Sequence, residues 1–147
     1  DLGDRKVEKT FVIKGTAESE WVLFDATDQS LGRLAGEVAN VLLGKNKPTY
    51  TPGVLMGDHV VIINAERVAI NPKRMEEKVY YKHSNYPSGL KAVSMPDMLK
   101  NHPERVIIKA VWGMIPHNKY GRQVIKRLRV YSGNEHPHMG QDPKPVK

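Results

Sequence analysis

The spacing of apolar residues changes period several times along the chain, and each change marks an expected element. Trp21-Val22-Leu23-Phe24-Asp25 is a short apolar run closed by an acid, the pattern of a buried strand. Ala26 to Ser30 is a polar turn, with Ser30 where a helix N-cap is expected. Leu31, Leu34, Ala35, Val38 and Leu42 then recur at helical spacing through Leu43, and Gly44 is the expected stop. Strand, short loop and helix in that order open a strand–helix–strand unit. A loop from Thr49 to Asp58 follows. Val60-Val61-Ile62-Ile63 is continuous, β-branched and too short for a helix, so it reads as a strand covered on both faces.

After a turn at Asn64-Ala65-Glu66, the segment Arg67-Val68-Ala69-Ile70 is expected to stay extended, and Asn71-Pro72-Lys73-Arg74 to turn. Lys78 to His83 alternates aromatic and basic residues, as a strand or strand-like arm would, and Ser84 to Gly89 reads as an exposed loop. Ser94-Met95-Pro96-Asp97 has the form of a capped helix start, with a short helix to Asn101. Pro103 and Glu104 open another, whose buried stripe is Val106, Ile107, Ala110, Val111 and Met114. Pro116 cannot continue it. Tyr120, Val124 and Leu128 recur every fourth residue, so His117 to Arg129 reads as one helix. The tail after Gly133 is rich in Pro, Gly and His and reads as extended. The expected organisation is an arm at 1–20, one α/β domain at 21–138 and a tail at 139–147.

Charge adds a direction to this layout. Residues 1–60 hold seven cations and nine acids, a net of −2, whereas 61–147 hold sixteen cations and seven acids, a net of +9. Lys119, Arg122, Lys126, Arg127 and Arg129 crowd the last predicted helix with no Asp or Glu among them. Lys119, Arg122, Lys126 and Arg129 step by three, four and three, which puts them on one helical stripe. Such a row suits a polyanion, and nucleic acid is the commonest in a cell. A merely solvated face is the bland alternative. A membrane-surface helix is weaker still, because the apolar side has no Trp/Phe/Leu cluster. A second group is Lys73, Arg74, Lys78 and Lys82, with Lys45 and Lys47 nearer the N-terminus. Tyr80, Tyr81 and Tyr86 interleave with Lys78, Lys82 and Lys91, as base stacking beside phosphate pairing would require, although one of Tyr80 and Tyr81 is expected to fill the core.

Catalytic chemistry finds little footing. There is no cysteine, so disulfides, thiolate zinc sites and cysteine nucleophiles are excluded. Gly44-Lys45-Asn46 is not a phosphate loop: Ala39 stands where that motif needs Gly, and Asn46 where it needs Ser or Thr. Lys45 and Lys47 are adequately explained by the carbonyls and dipole at the preceding helix end. His136, His138 and Glu135 lack a firm further ligand for a metal. Asp25 and Asp58 flank strands where an α/β enzyme places an acid, but turn closure is the commoner role. No apolar run approaches the roughly 18 residues of a membrane span. Nothing near the N-terminus has the apolar core of a signal peptide. The first residue is Asp and not Met, which leaves room for native ends beyond those given.

Several blocks in order resemble one family. They are Trp21 to Thr27, Leu31-Gly32-Arg33-Leu34-Ala35, Asn64-Ala65, Lys78-Val79-Tyr80-Tyr81, Gly113-Met114-Ile115-Pro116, Gly121-Arg122 and Tyr131-Ser132-Gly133-Asn134-Glu135-His136-Pro137-His138. Together they look like the bacterial-type L-thirteen family of large-subunit ribosomal proteins, over most of the chain. The resemblance implies a three-layer α/β/α fold with a small, mostly parallel sheet of about four strands, and extended basic loops and termini. It implies a structural role without catalysis or cofactor: binding large-subunit ribosomal RNA early in assembly, beside other ribosomal proteins, with no membrane or small-molecule partner. It implies a cytoplasmic ribosome, or an organellar one, since the arm at 1–20 is longer than the family's usual start.

The RNA contacts expected are Lys119, Arg122, Lys126, Arg127 and Arg129. Lys45, Lys47, Lys73, Arg74, Lys78, Lys82 and Tyr86 form a second rank. Reversing Arg122 and Arg127 to Glu is expected to weaken RNA binding and spare the melt. Gly113, Pro116, Gly121 and Gly133 are expected to set backbone geometry, with close approach to RNA as a further role for Gly121. The rival readings are a small α/β enzyme acting on a nucleotide or RNA through Asp25 or Asp58, and a translational repressor binding mRNA away from the ribosome.

Overall fold

The computed structural model describes residues 12–13 and 17–146, so most of the arm expected at 1–20 lies outside the described residues. The first unit forms as its periodicity dictates. β1 (Trp21–Asp25) leads through a turn to α1 (Leu31–Leu43), which buries Leu34, Ala35, Val38, Ala39, Leu42 and Leu43. Gly44 ends the helix in the left-handed region at φ 79°, its N–H donating to the carbonyls of Asn40 and Val41. Ser30 stands at the N-cap, but its side chain caps nothing. Ser30 instead bridges Ala69, and the Leu31 N–H donates to the Ala69 carbonyl at 3.1 Å. The tertiary bridge thus replaces the local cap. β2 (His59–Ile63) runs parallel to β1, in register from Trp21↔His59 to Asp25↔Ile63.

The middle of the chain departs from its sequence pattern in three places. Ala65–Arg67 forms a short 3-10 turn before the bridge at Ala69, so only part of 67–70 is extended. Asn71-Pro72-Lys73-Arg74 is not a simple turn but the start of α2 (Pro72–Glu77), capped by Asn71 Oδ1, which accepts from the Lys73 N–H at 3.0 Å. This helix buries no residue, so it leaves no apolar stripe to read. β3 (Val79–His83) is a strand as expected, but its partner is β4 (Leu90–Ser94), paired antiparallel from Val79↔Ser94 to His83↔Leu90. α3 (Met95–Asn101) and α4 (Pro103–Trp112) follow the proline and acid signals. Met95, Met98 and Val106 form a small cluster on which Tyr80 packs, joining the hairpin to the body. Tyr81 is 64% exposed, so Tyr80 is the tyrosine that fills the interior.

The predicted helix from His117 to Arg129 is two elements. α5 (Lys119–Ile125) stops early, and β5 (Leu128–Val130) runs parallel to β2. Leu128 fits the four-residue apolar period, yet it reaches the core as the first of two inward strand positions, with Arg129 between them pointing out. β6 (Lys144–Pro145), within the tail, adds a parallel edge beside β1, giving the order β5-β2-β1-β6. The architecture is the three-layer α/β class with a parallel four-stranded sheet. Phe24, Val60, Ile62 and Leu128 share one core with α1, α4 and α5. By strand alternation Trp21, His59 and Arg129 take the opposite face. There Trp21 stacks on His59 with ring centroids 4.6 Å apart and touches His138 at 5.1 Å. No described helix is long and apolar enough to cross a membrane.

Gly121 is fixed by packing. A Cβ built there lands on the Pro116 carbonyl oxygen, and the Gly121 N–H donates to Asn118 Oδ1 at 2.9 Å. The close approach is therefore to the chain's own backbone. Gly121→Ala is expected to cost about 2 kcal/mol through forced displacement of that turn, read as a lowered urea midpoint at unchanged slope. At Gly113 the nearest non-neighbouring atom is 3.6 Å from an added Cβ, and at Gly133 there is open space, so neither site excludes a side chain.

The imidazole cluster sets a pH dependence. Burial pushes His59 below the ordinary imidazole pKa, and repulsion from Arg127 and Arg129 adds to it. Burial lowers His138 likewise, helped by Arg129 and His136. A group with a depressed folded pKa binds fewer protons folded than unfolded, so its stabilisation is complete above the unfolded value near 6.5 and is lost as pH falls through the folded value. Thermal midpoints are expected to fall as pH drops from about 7 to about 5, and to fall less in a His59→Asn, His138→Gln variant. An equally steep decline in that variant would assign the acid sensitivity to carboxylates.

Candidate nucleic-acid interface

The first cationic group stands on α5 and β5. Val124 and Gly121 turn inward, so Lys119 and Arg122 project from the solvent side of α5. Lys126 is exposed at the helix C-cap, where a cation complements the dipole. Arg129 is exposed on β5, its Nη1 donating to the Lys126 carbonyl and, at 3.4 Å, to that of Leu128. The stripe expected on one helix is thus divided between a helix, its cap and an edge strand. Arg127 is different. It is half-buried, and its Nη1 donates to the Gly57 carbonyl, tying β5 to the loop before β2.

The two lysines after α1 also part company. Lys45 is exposed. Lys47 Nζ donates to the carbonyls of Glu18 at 2.9 Å and Met56 at 2.8 Å, and pairs with Asp58 at 2.9 Å. An ammonium has three donors, and these partners occupy all three. Lys47 is therefore an internal strut that fastens residue 18 and the 56–58 loop together, rather than a partner for the last carbonyls of α1.

Asp58, 5% exposed, completes the strut by accepting from the Glu20 N–H at 3.0 Å. Asp25 accepts from the Thr27 hydroxyl at 2.7 Å, the Thr27 N–H at 3.0 Å and Asn64 Nδ2 at 3.0 Å. The Thr27 bonds, then that of Asn64, hold its carboxyl below the usual carboxylate range. A carboxylate stabilised in this way is a turn anchor and a poor proton donor. The C-terminal edge of the sheet is closed by backbone as well: the Asn64 N–H donates to the Gly133 carbonyl and the Ala65 N–H to that of Tyr131. His138 Nε2 bonds the Tyr131 hydroxyl at 2.7 Å, and His136 Nδ1 accepts from the His138 N–H at 3.2 Å, so these rings serve the fold.

The second cationic group surrounds α2 and the hairpin. Lys73, Arg74 and Lys78 line one open depression with Asn71 and Glu77. Lys82 and Lys91 face each other directly across the β3–β4 pair. Like charges so placed repel, and an anion between them relieves the cost. Tyr86 is 74% exposed at the hairpin tip, and Tyr81, on β3, is exposed as well. Lys109, on α4, joins this group although sequence reading followed only the apolar stripe of that helix. Its Nζ lies 5.4 Å from the Tyr80 ring centroid, and that of Lys78 lies 5.7 Å from it. The cue in the sequence is that Lys109 is the only cation in the last turn of α4.

A layered α/β body whose strand-end carboxylates are committed to a turn at Asp25 and to the Lys47 strut at Asp58, with cations on a helix, an edge strand and a hairpin that enter no ion pair among the described residues, defines a scaffold protein that presents charge. Comparison with known proteins then gives the family. The family model described as "Ribosomal protein L13" matches residues 19–137. The "Large ribosomal subunit protein uL13" of Chlorobium limicola is 51% identical over 140 residues, covering 95% of this chain and 94% of that protein. That of Thermotoga petrophila is 48% identical over 142 residues, 96% and 95% of the two chains. That of Francisella tularensis subsp. novicida is 52% identical over 137 residues, 92% and 96%. The chain belongs to the ribosomal protein L13 family, whose members are structural proteins and not enzymes. The family model begins at residue 19, so nearly all of the arm expected at 1–20 lies outside the residues it matches.

Proposed function

We propose that the chain is a structural constituent of the large subunit of a bacterial-type, cytoplasmic ribosome, where it binds large-subunit ribosomal RNA and supports early assembly beside neighbouring ribosomal proteins. The observation that carries this reading is the set Lys119, Arg122, Lys126 and Arg129. All four are exposed, and none enters the ion pairs found among the described residues, Lys47–Asp58, His102–Glu104 and Lys144–Glu20. Each such cation displaces condensed counterions when it meets a phosphate, which supplies affinity. The packed core under α5 and β5 holds the arms at fixed separations, so RNA shape is read more than base sequence. Filter binding of purified protein to large-subunit ribosomal RNA tests the reading. Affinity is expected to fall linearly on a log–log plot against salt, with a slope of roughly −0.7 to −0.9 per phosphate contacted. Binding that is absent, or indifferent to salt, would overturn it.

A further inference from the structure

Between α1, α2, the hairpin and α4 lies a cleft of about 370 Å³. Its apolar lining, the floor below the cations, is made by Leu31, Ile70, Met95 and Ala110, with Tyr80 and the partly exposed Met114 also lining it. Arg74, Lys78 and Lys109 stand at the rim, and among the described residues no Asp or Glu lines it. None of the three cations belongs to an ion pair found among the described residues. The Nζ atoms of Lys78 and Lys109 lie 5.7 and 5.4 Å from the Tyr80 ring centroid, so both charges border that ring. Ser30 and Asn71 also reach the cleft, and the Ser30 hydroxyl is not spent on capping α1.

This combination is specific in its chemistry. The volume falls in the range of small-molecule sites, which pair an apolar lining with a few convergent polar groups. An apolar floor with an aromatic wall suits a flat ring. A guanidinium fork and two ammonium groups suit a phosphate, whose negative charge compensates theirs. Ser30 and Asn71 can meet the polar edge of the ring.

We propose that this cleft binds a single nucleotide, its base on the apolar floor against Tyr80 and its phosphate among Arg74, Lys78 and Lys109. The nucleotide is either free in solution or extruded from an RNA loop, since both present the same base and phosphate. The site shares Arg74 and Lys78 with the second cationic group, but it takes nothing from α5 and β5, which carry the ribosomal RNA reading.

The test is an amide NMR titration of the full chain. The ligands are AMP, GMP, CMP and UMP, inorganic phosphate alone, an RNA hairpin with an unpaired loop, and a paired duplex of equal length. Amides of Gly32, Ile70 and Ala110 are expected to shift and saturate. Saturation by a mononucleotide identifies the free source, and saturation by the looped RNA alone identifies the extruded one. Two variants guard the assignment. Lys78→Ala with Lys109→Ala, both exposed positions, weakens the response at least about tenfold, as loss of two charged donors requires. Ala110→Met fills the floor, leaves every cation in place and removes the response, while binding of duplex RNA through α5 and β5 persists. The proposal is overturned if no nucleotide or looped RNA moves these amides, if phosphate alone reproduces the whole pattern, or if Ala110→Met responds like the parent chain.

Discussion

Replacing Lys119, Arg122, Lys126 and Arg129 together by alanine lowers affinity for large-subunit ribosomal RNA by on the order of a hundredfold to a thousandfold near 0.1 M salt. The figure follows from removing four phosphate contacts, each contributing roughly 0.7 to 0.9 to the log–log salt slope, so the slope itself falls by about 3. The melt should move by less than about 1 kcal/mol, since all four side chains are exposed and, among the described residues, only Arg129 of the four bonds main-chain carbonyls, those of its own neighbourhood. Salt-dependent filter binding and a urea melt on the same preparation check both halves. An unchanged slope would show that the RNA lies elsewhere, with α2 and the hairpin the next surface to remove. Arg127 is left out of this set deliberately. Reversing Arg122 to Glu is expected to spare the melt, but reversing Arg127 is not, because its bond to the Gly57 carbonyl is lost and a carboxylate is set in a half-buried site. The double reversal, expected from sequence to spare the melt, is therefore expected to lower it through Arg127.

Asp58→Ala is expected to cost about 3 kcal/mol, near the lower end for breaking a buried pair, because Lys47 keeps some solvent contact. In a chain of this size that lowers the thermal midpoint by about 10 °C. The carboxylate is the junction of three segments: it accepts the Glu20 N–H at the entrance to β1, stands immediately before β2, and anchors Lys47 from the loop after α1. Asp58→Asn retains an acceptor for the Glu20 N–H and should cost less. A Lys47→Met, Asp58→Asn pair should cost less than the sum of its single changes, since each single change leaves a partner unmatched. Strict additivity would mean that the two groups do not depend on one another.

The parts of the fold legible in the sequence are those where one period runs uninterrupted to a clear stop. α1 ends at Gly44, β2 is a pure β-branched run, and α4 opens on Pro103 and Glu104. The misreadings have physical reasons. Leu128 satisfies a helical repeat while being a strand residue, so α5 and β5 merged. α2 buries nothing, and Leu90 to Val93 of β4 are exposed throughout, so neither offered an inside and an outside to distinguish. The candidate interface divides in the same way. Charge without neighbouring acids marks Lys119, Arg122, Lys126, Arg127 and Arg129 alike and does not separate Arg127 from the rest. Lys47 and Arg127 carry the same charge, but the three donors of Lys47 are taken by Glu18, Met56 and Asp58, and Nη1 of Arg127 is tied to Gly57, partners fixed only by tertiary structure. Lys109 was overlooked because it stands beside the apolar stripe of α4, and its value appears only once Lys78 and Tyr80 are brought against it.

The most direct test of the central claim is sedimentation of a cell lysate through a sucrose gradient, at low and then at moderate salt, with every fraction probed for this chain. The account predicts that the chain travels with the large ribosomal subunit and stays with it as salt rises. A chain confined to the light, soluble fractions under both conditions would contradict it.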